Sequence, residues 1–151
     1  MRNLSAKEVY EDSAAQGLYE ESGFDAEEVK KVLHMAMEDF AFAKKMKVEN
    51  DPSWRVVFNA YYDVFRELCG LLLRFKKQKS SNHQAVFAFI VVYFKEFDFD
   101  WQLLEQIRTV RNNNKYQGLD ISKNMWKSIE MPLEVYIASL KKEIGRRLEE
   151  E

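Results

Sequence analysis

The sequence predicts an all-α protein: an up-and-down antiparallel bundle of four to five helices preceded by a short accessory helix. Three observations predict it. Apolar residues recur at three- and four-residue steps along most of the chain. Gly 5 and Pro 2 in 151 residues is sparse punctuation for a fold with many turns. Period-two alternation is weak, and only Val86 to Phe94 reads equally well as a buried strand.

Residues 1–24 are set apart as an N-terminal arm or accessory helix, through Val9, Tyr10, Ala14 and Leu18, stopped by Gly17 or Gly23. Residues 25–151 form the bundle. Asp25 is placed to cap its first helix, with Glu27 and Glu28 in the first turn where negative charge meets the positive end of the helix dipole. That helix runs to about Val48, with Val29, Val32, Leu33, Ala36, Phe40 and Ala43 along one face. Asp51-Pro52 offers a cap and a first-turn proline for a second helix, whose apolar positions from Val56 to Phe75 make it the core of the domain.

Lys76 to Ser81 reads as a polar connection. Ser81 or Asn82 then caps a third helix from His83 to about Phe97, and Asp98 or Asp100 caps a fourth that turns Leu103, Leu104, Ile107 and Val110 inward. The run Asn112-Asn113-Asn114 and Gly118 are expected to break or strain that helix. Asp120 or Ser122 starts a fifth, which Pro132 kinks or divides near Met131. Short loops between the second, third and fourth helices favour antiparallel neighbours.

Composition narrows the function classes. The lone Cys69 lies among leucines and permits neither an internal disulfide nor a cysteine-rich metal site, which fits a reducing cytoplasm. The longest apolar run, Ala85 to Phe94, is about half a membrane span, and the amino terminus lacks signal-peptide blocks, so no membrane association is expected. Residues 1–40 carry ten acids against four bases, and residues 41–151 fifteen against nineteen, a mild cationic bias that permits anionic partners. Walker loop, dinucleotide fingerprint, nucleophile elbow and zinc motif are all missing, so no cofactor or metal is expected.

The densest chemistry is Arg108 to Gly118. Arg108 and Arg111 share a helix surface and can address one phosphate, Asn112 and Asn114 offer amide donors and acceptors, Lys115 adds charge, and Tyr116 can stack on a base. The bland reading is a helix end whose amides satisfy carbonyls while the arginines pair with Glu105 or another acid. Lys79 and His83 bring a basic segment, Arg74 to Lys79, to the start of the third helix, where His83 either makes a local hydrogen bond or approaches Arg111. If these bases converge with Lys123 and Lys127 they form a phosphate footprint; otherwise the segment is a solvated loop. His34 reads as a boundary residue. Aromatic residues on several sides of the third helix suggest more apolar surface than a small bundle buries, and hence a homodimer.

Tyr61-Tyr62-Asp63 to Leu73, then Lys79-Ser-Ser-Asn-His83, then Val110-Arg111-Asn112 to Tyr116-Gln117-Gly118 resemble, in order and spacing, the HEPN superfamily, above all prokaryotic members ending in Arg-Asn-x-x-x-Tyr-x-Gly. The resemblance covers about residues 25 to 148. It implies a dimeric helical bundle; many such proteins are metal-independent endoribonucleases in toxin–antitoxin, defence and RNA-processing systems. Their signature is Arg, four to six residues, then His. Arg111-Asn112 matches its first half, but Tyr116 stands where the second half is due and no histidine follows His83.

A phenol with an ordinary pKa of about 10 carries protons poorly near neutral pH, unless neighbouring arginines depress it. The sequence therefore points to a catalytically weak or inactive protein that binds nucleotide, RNA or a protein partner through an Arg/Asn/Tyr groove. Two alternatives stand beside it: an active RNase using Tyr116 or His83, and a structural partner for a nucleotidyltransferase-type protein.

Overall fold

The structure, a computed structural model, describes residues 3–151. In chain order the elements are α1 (Ala6–Ala15), β1 (Glu20–Glu21), α2 (Ala26–Lys47), α3 (Trp54–Phe75), β2 (Gln78–Lys79), α4 (His83–Tyr93), α5 (Trp101–Gln117) and α6 (Lys123–Glu149), with a 3-10 turn at Lys95–Phe97. This is an all-α bundle of five longer helices with a short helix ahead of them. None of the described helices is long and apolar enough to cross a membrane.

α3 lies at the centre. Eleven of its side chains are buried, from Val57 to Leu73. α2, α4, α5 and α6 pack against it, α2 with the stripe Val29, Ala36 and Ala43 and α6 with Ile129, Leu133, Ile137, Leu140 and Ile144. Arg74 near the end of α3 meets Glu28 at the start of α2, while Tyr61 meets Phe40, so α2 and α3 run antiparallel. α3 and α5 do so too, with Asn59 against Asn114 and Asp63 against Arg111.

α4 is reached differently from the short antiparallel turn the sequence suggested. Lys76 and Lys77 turn the chain, Lys77 at φ +57°, residues 78–82 return along α3, and Gln78–Lys79 pairs antiparallel with Glu20–Glu21. α4 thus begins beside the middle of α3, with His83 at Tyr62 and Phe87 at Phe65, and runs toward the same end. The arm is stitched down by this strand pair and by α1, whose Tyr10 and the following Tyr19 pack on Phe89 of α4.

Local chemistry sets the boundaries. Ser5 and Glu8 form a reciprocal capping box on α1, and Asp25, Ser53, Asn82, Asp100 and Ser122 each accept backbone N–H bonds at the start of a helix. Several expectations need correction. α1 stops before Gly17, whose φ of +72° ends it and leaves Leu18 outside. Ser53, rather than Asp51-Pro52, caps α3, because Asp51 already sits at φ +53°. α4 ends at Tyr93, where Phe94 leaves helical geometry and Phe94, Phe97 and Phe99 stack in series onto Tyr136. The aromatic burial outweighs continued helix there.

The Asn run does not break α5, which continues to Gln117 and ends only at Gly118, φ +69°. Pro132 does not divide α6 either. Its missing N–H removes one helix bond, but the continuous buried stripe on both sides holds the helix together.

One ionic cluster ties α2 to α6. Lys47 Nζ donates to Glu134 at 2.6 Å and to Glu130 at 3.0 Å, and the Tyr61 hydroxyl donates to the same Glu134 oxygen at 2.8 Å. Desolvation raises the Glu130 carboxyl, but the bonds from Lys47 and Lys127 outweigh it and hold it below its ordinary value of 4.5. Lys47→Met leaves Glu134 and the buried Tyr61 phenol without their cation and Glu130 with Lys127 alone, and a urea titration at pH 7 should show a loss of about 2 kcal/mol, below the range for fully buried pairs because the cluster is partly solvated. A depressed carboxyl contributes fully above 4.5 and loses its contribution as the pH falls through the lower folded value. Wild type and variant should therefore converge in acid; a gap that persists there would assign the loss to packing.

Candidate functional site

α5 separates its polar cluster onto two faces. Ile107, Arg111 and Asn114 turn toward α3, whereas Arg108, Asn112 and Tyr116, four residues apart, form a stripe along the other side. That stripe and the first turn of α4, Ser81 to Gln84, line an open cleft of about 280 Å³.

The inward face is structural. Arg111 donates to Asp63 Oδ1 at 2.8 Å, and its guanidinium lies 4.8 Å from the centre of the Tyr62 ring. Only 13% of its side chain is exposed. Asn114 is buried and accepts from Asn59 Nδ2 at 2.9 Å while donating to the Leu119 carbonyl at 2.8 Å. This explains how Asn114 survives in a helix: its amide closes the α5–α6 connection and pins it to α3. The Asn59 Oδ1 atom is buried without a partner.

The outward face is open. Tyr116 is 83% exposed. Arg108 is held by both oxygens of Glu105 at 3.1 Å, and Glu105 also accepts from Gln84 at 2.9 Å, so a carboxylate bridges the two walls of the cleft. Asn82 caps α4 through Ala85 N. The N–H groups of His83 and Gln84 belong to the first turn, where no intrahelical carbonyl reaches them, and such a helix start favours anions.

His83 joins the two faces. Its Nδ1 lies 2.9 Å from the Tyr62 hydroxyl. Burial first, then repulsion from Arg66 and Arg111, with Arg108 adding and Asp63 opposing, lowers its pKa from 6.5, so the ring is neutral at pH 7. Burial also raises the Tyr62 phenol against the pull of Arg111, Arg108 and Arg66, which keeps it protonated. A protonated phenol and a neutral imidazole share one hydrogen bond at Nδ1, which fixes the ring's orientation beside α3.

Of the residues singled out from the sequence, Arg108, Asn112, Tyr116 and His83 meet at the cleft. Arg111 and Asn114 do not line it, because both are engaged with α3. Lys115 is exposed but projects between the two faces, and Lys79 sits on β2 opposite Glu20, 3.8 Å away. The basic segment makes no single patch with α5 and α6: Arg74 pairs with Glu28 and Lys127 with Glu130. His34 pairs with Glu38 on the surface of α2.

Sequence reasoning missed Tyr62, Asp63 and Gln84 as members of this region. The spacing of Arg108, Asn112 and Tyr116 was a usable signal for the outward stripe; the partners from α3 and α4 carried none. Among the described residues no three His, Cys, Asp or Glu side chains converge as metal ligands. Comparisons of the chain with protein-family models, curated proteins and solved structures found no match.

In an NMR titration the His83 imidazole should show a midpoint below 6.5. Arg111→Gln removes a repelling cation and frees Asp63 to favour imidazolium, so the midpoint should move upward. An unmoved midpoint would show that Arg111 does not act on the ring.

Proposed function

We propose that the chain is a HEPN-like recognition protein that binds single-stranded RNA or a nucleotide at the α4–α5 cleft without turning it over efficiently. The observation that carries this reading is the stripe of Arg108, Asn112 and the 83% exposed Tyr116 facing the start of α4. A phosphate fits between Arg108 and the free N–H groups of α4, with Asn112 offering amide contacts and Tyr116 a stacking surface for an unpaired base. Glu105 must yield part of Arg108 when phosphate enters, which favours modest affinity. The resemblance in Arg111-Asn112 through Gly118 supports the family reading, with Arg111 acting there as a structural cation.

A second reading, metal-independent RNA cleavage, is favoured by one observation: a neutral His83 held at Nδ1 in the same cleft. Two features weigh against efficient cleavage. Arg111 is tied to Asp63, and Glu105 places negative charge beside Arg108 where a transferring phosphate would lie. Exposed Met35 and Phe42 on α2 and Met131 and Val135 on α6 favour a protein contact, a second copy of the chain or a nucleotidyltransferase-type partner, away from the cleft.

Fluorescence anisotropy with a labelled single-stranded oligoribonucleotide tests the proposal. Tyr116→Ala should weaken binding about tenfold, in line with roughly 1–3 kcal/mol per stacked base. Arg108→Ala should lower the slope of log affinity against log salt by about 1. Asn114→Ala should shift the unfolding midpoint and leave affinity alone in the folded protein. RNA incubated with chelator should stay intact; cleavage lost in His83→Ala would replace the binding reading with the catalytic one, and absence of any binding would remove both.

A further inference from the structure

We propose that a second pocket, between α1, α4 and β2, binds a small planar aromatic compound carrying one anionic group. Tyr10, Tyr19, Phe89 and Tyr93 line it together with Ala14, Lys76 and Gln78, around a cavity of about 390 Å³. That volume lies in the lower part of the roughly 300–1,000 Å³ range of small-molecule sites. The four rings form a closed circuit: Tyr10 to Tyr19 at 5.3 Å, Tyr19 to Phe89 at 5.5 Å, Phe89 to Tyr93 at 4.6 Å and Tyr93 to Tyr10 at 5.3 Å. Phe89 is the buried floor, and Tyr93, 47% exposed, stands at the mouth. Aromatic walls of this kind take a flat ring by offset or edge contacts.

The polar groups fix the sign of the ligand. Tyr19 donates to the Ala85 carbonyl at 2.7 Å, so its proton is used within the chain. Tyr10 and Tyr93 share one hydrogen bond of 2.7 Å, which uses one of their two protons and leaves the other to donate outward. That hydrogen bond and burial push the Tyr10 phenol up to about 12, so Tyr10 stays protonated at neutral pH. Lys76 makes no ion pair among the described residues; its ammonium lies 5.7 Å from the centre of the Phe94 ring, and no carboxylate lines the pocket. A phenolic O–H, the Lys76 side chain and the Gln78 amide therefore line the pocket beside its aromatic rings, a donor excess that selects an acceptor-rich anion attached to a ring. A carboxylate and a phosphate ester both meet this requirement.

Isothermal titration of the full chain with four probes tests the inference and separates the two anion types. AMP and indole-3-carboxylate each join a ring to an anion; adenosine supplies the ring alone and inorganic phosphate the anion alone. At least one of the first two should bind, and adenosine and phosphate should be weaker by about tenfold or more, because each lacks one half of the recognised chemistry. AMP alone binding assigns a phosphate ester, and indole-3-carboxylate alone a carboxylate.

Lys76→Gln, an exposed position whose change leaves the packing intact, should weaken the bound probe about tenfold. Tyr93→Leu should weaken it further, with folding checked by circular dichroism. With Arg108→Ala removing nucleotide binding at the α4–α5 cleft, the ring-bearing probe should still titrate this pocket, and Tyr93→Leu should leave RNA anisotropy unchanged, which keeps the two sites distinct. No binding of either ring-bearing anion, binding indifferent to Lys76→Gln, or binding abolished by Arg108→Ala would each overturn the proposal.

Discussion

A helix packed against four others has to find partners for the polar groups it turns toward them, and α3 carries four in five positions: Asn59, Tyr61, Tyr62 and Asp63. A different neighbour answers nearly every one. Asn114 of α5 meets Asn59, Glu134 of α6 meets Tyr61, His83 of α4 meets Tyr62, and Arg111 of α5 meets Asp63. Leaving Tyr61 or Tyr62 unpaired in the interior costs about 1–3 kcal/mol. The hydrophobic surface of α3 gathers the helices, but these four contacts specify the register at which they stop.

The proposed binding surface follows from that arrangement. Because Arg111 and Asn114 are drawn inward to satisfy α3, the remaining members of the same run, Arg108, Asn112 and Tyr116, are turned outward at four-residue steps. Because His83 is drawn to Tyr62, the start of α4 is placed opposite that stripe. The cleft is thus the outer side of the contacts that lock the core. Its cation is already moderated by Glu105, which suits reversible recognition better than stabilisation of a highly charged transition state.

At the opposite end, the arm does more than precede the bundle. Glu20–Glu21 pairs with Gln78–Lys79, and Tyr10 and Tyr19 complete an aromatic circuit with Phe89 and Tyr93. Acidic residues of the arm and α2 neutralise part of the basic segment, Glu20 beside Lys79 and Glu28 on Arg74. Lys76 escapes this pairing and faces rings instead.

Sequence by itself determined the helices and narrowed most of their starts, because periodicity and caps are local: Asp25 caps as read, and Asn82, Asp100 and Ser122 are each one of two candidates the sequence offered. It also marked Arg108 to Tyr116 as the chemical centre and left open whether the arginines pair with acids. Only the tertiary structure decided which residues of that run face out, that the Asn run remains helical, that Pro132 is absorbed into α6, and that Phe94 to Phe99 stack instead of extending α4. Each of these outcomes depends on a partner dozens of residues away, Asp63 for Arg111, Asn59 for Asn114, Tyr136 for Phe99. Burial against a distant surface outweighs the local penalties, under about 1 kcal/mol for each Asn and about 3 kcal/mol for Pro132.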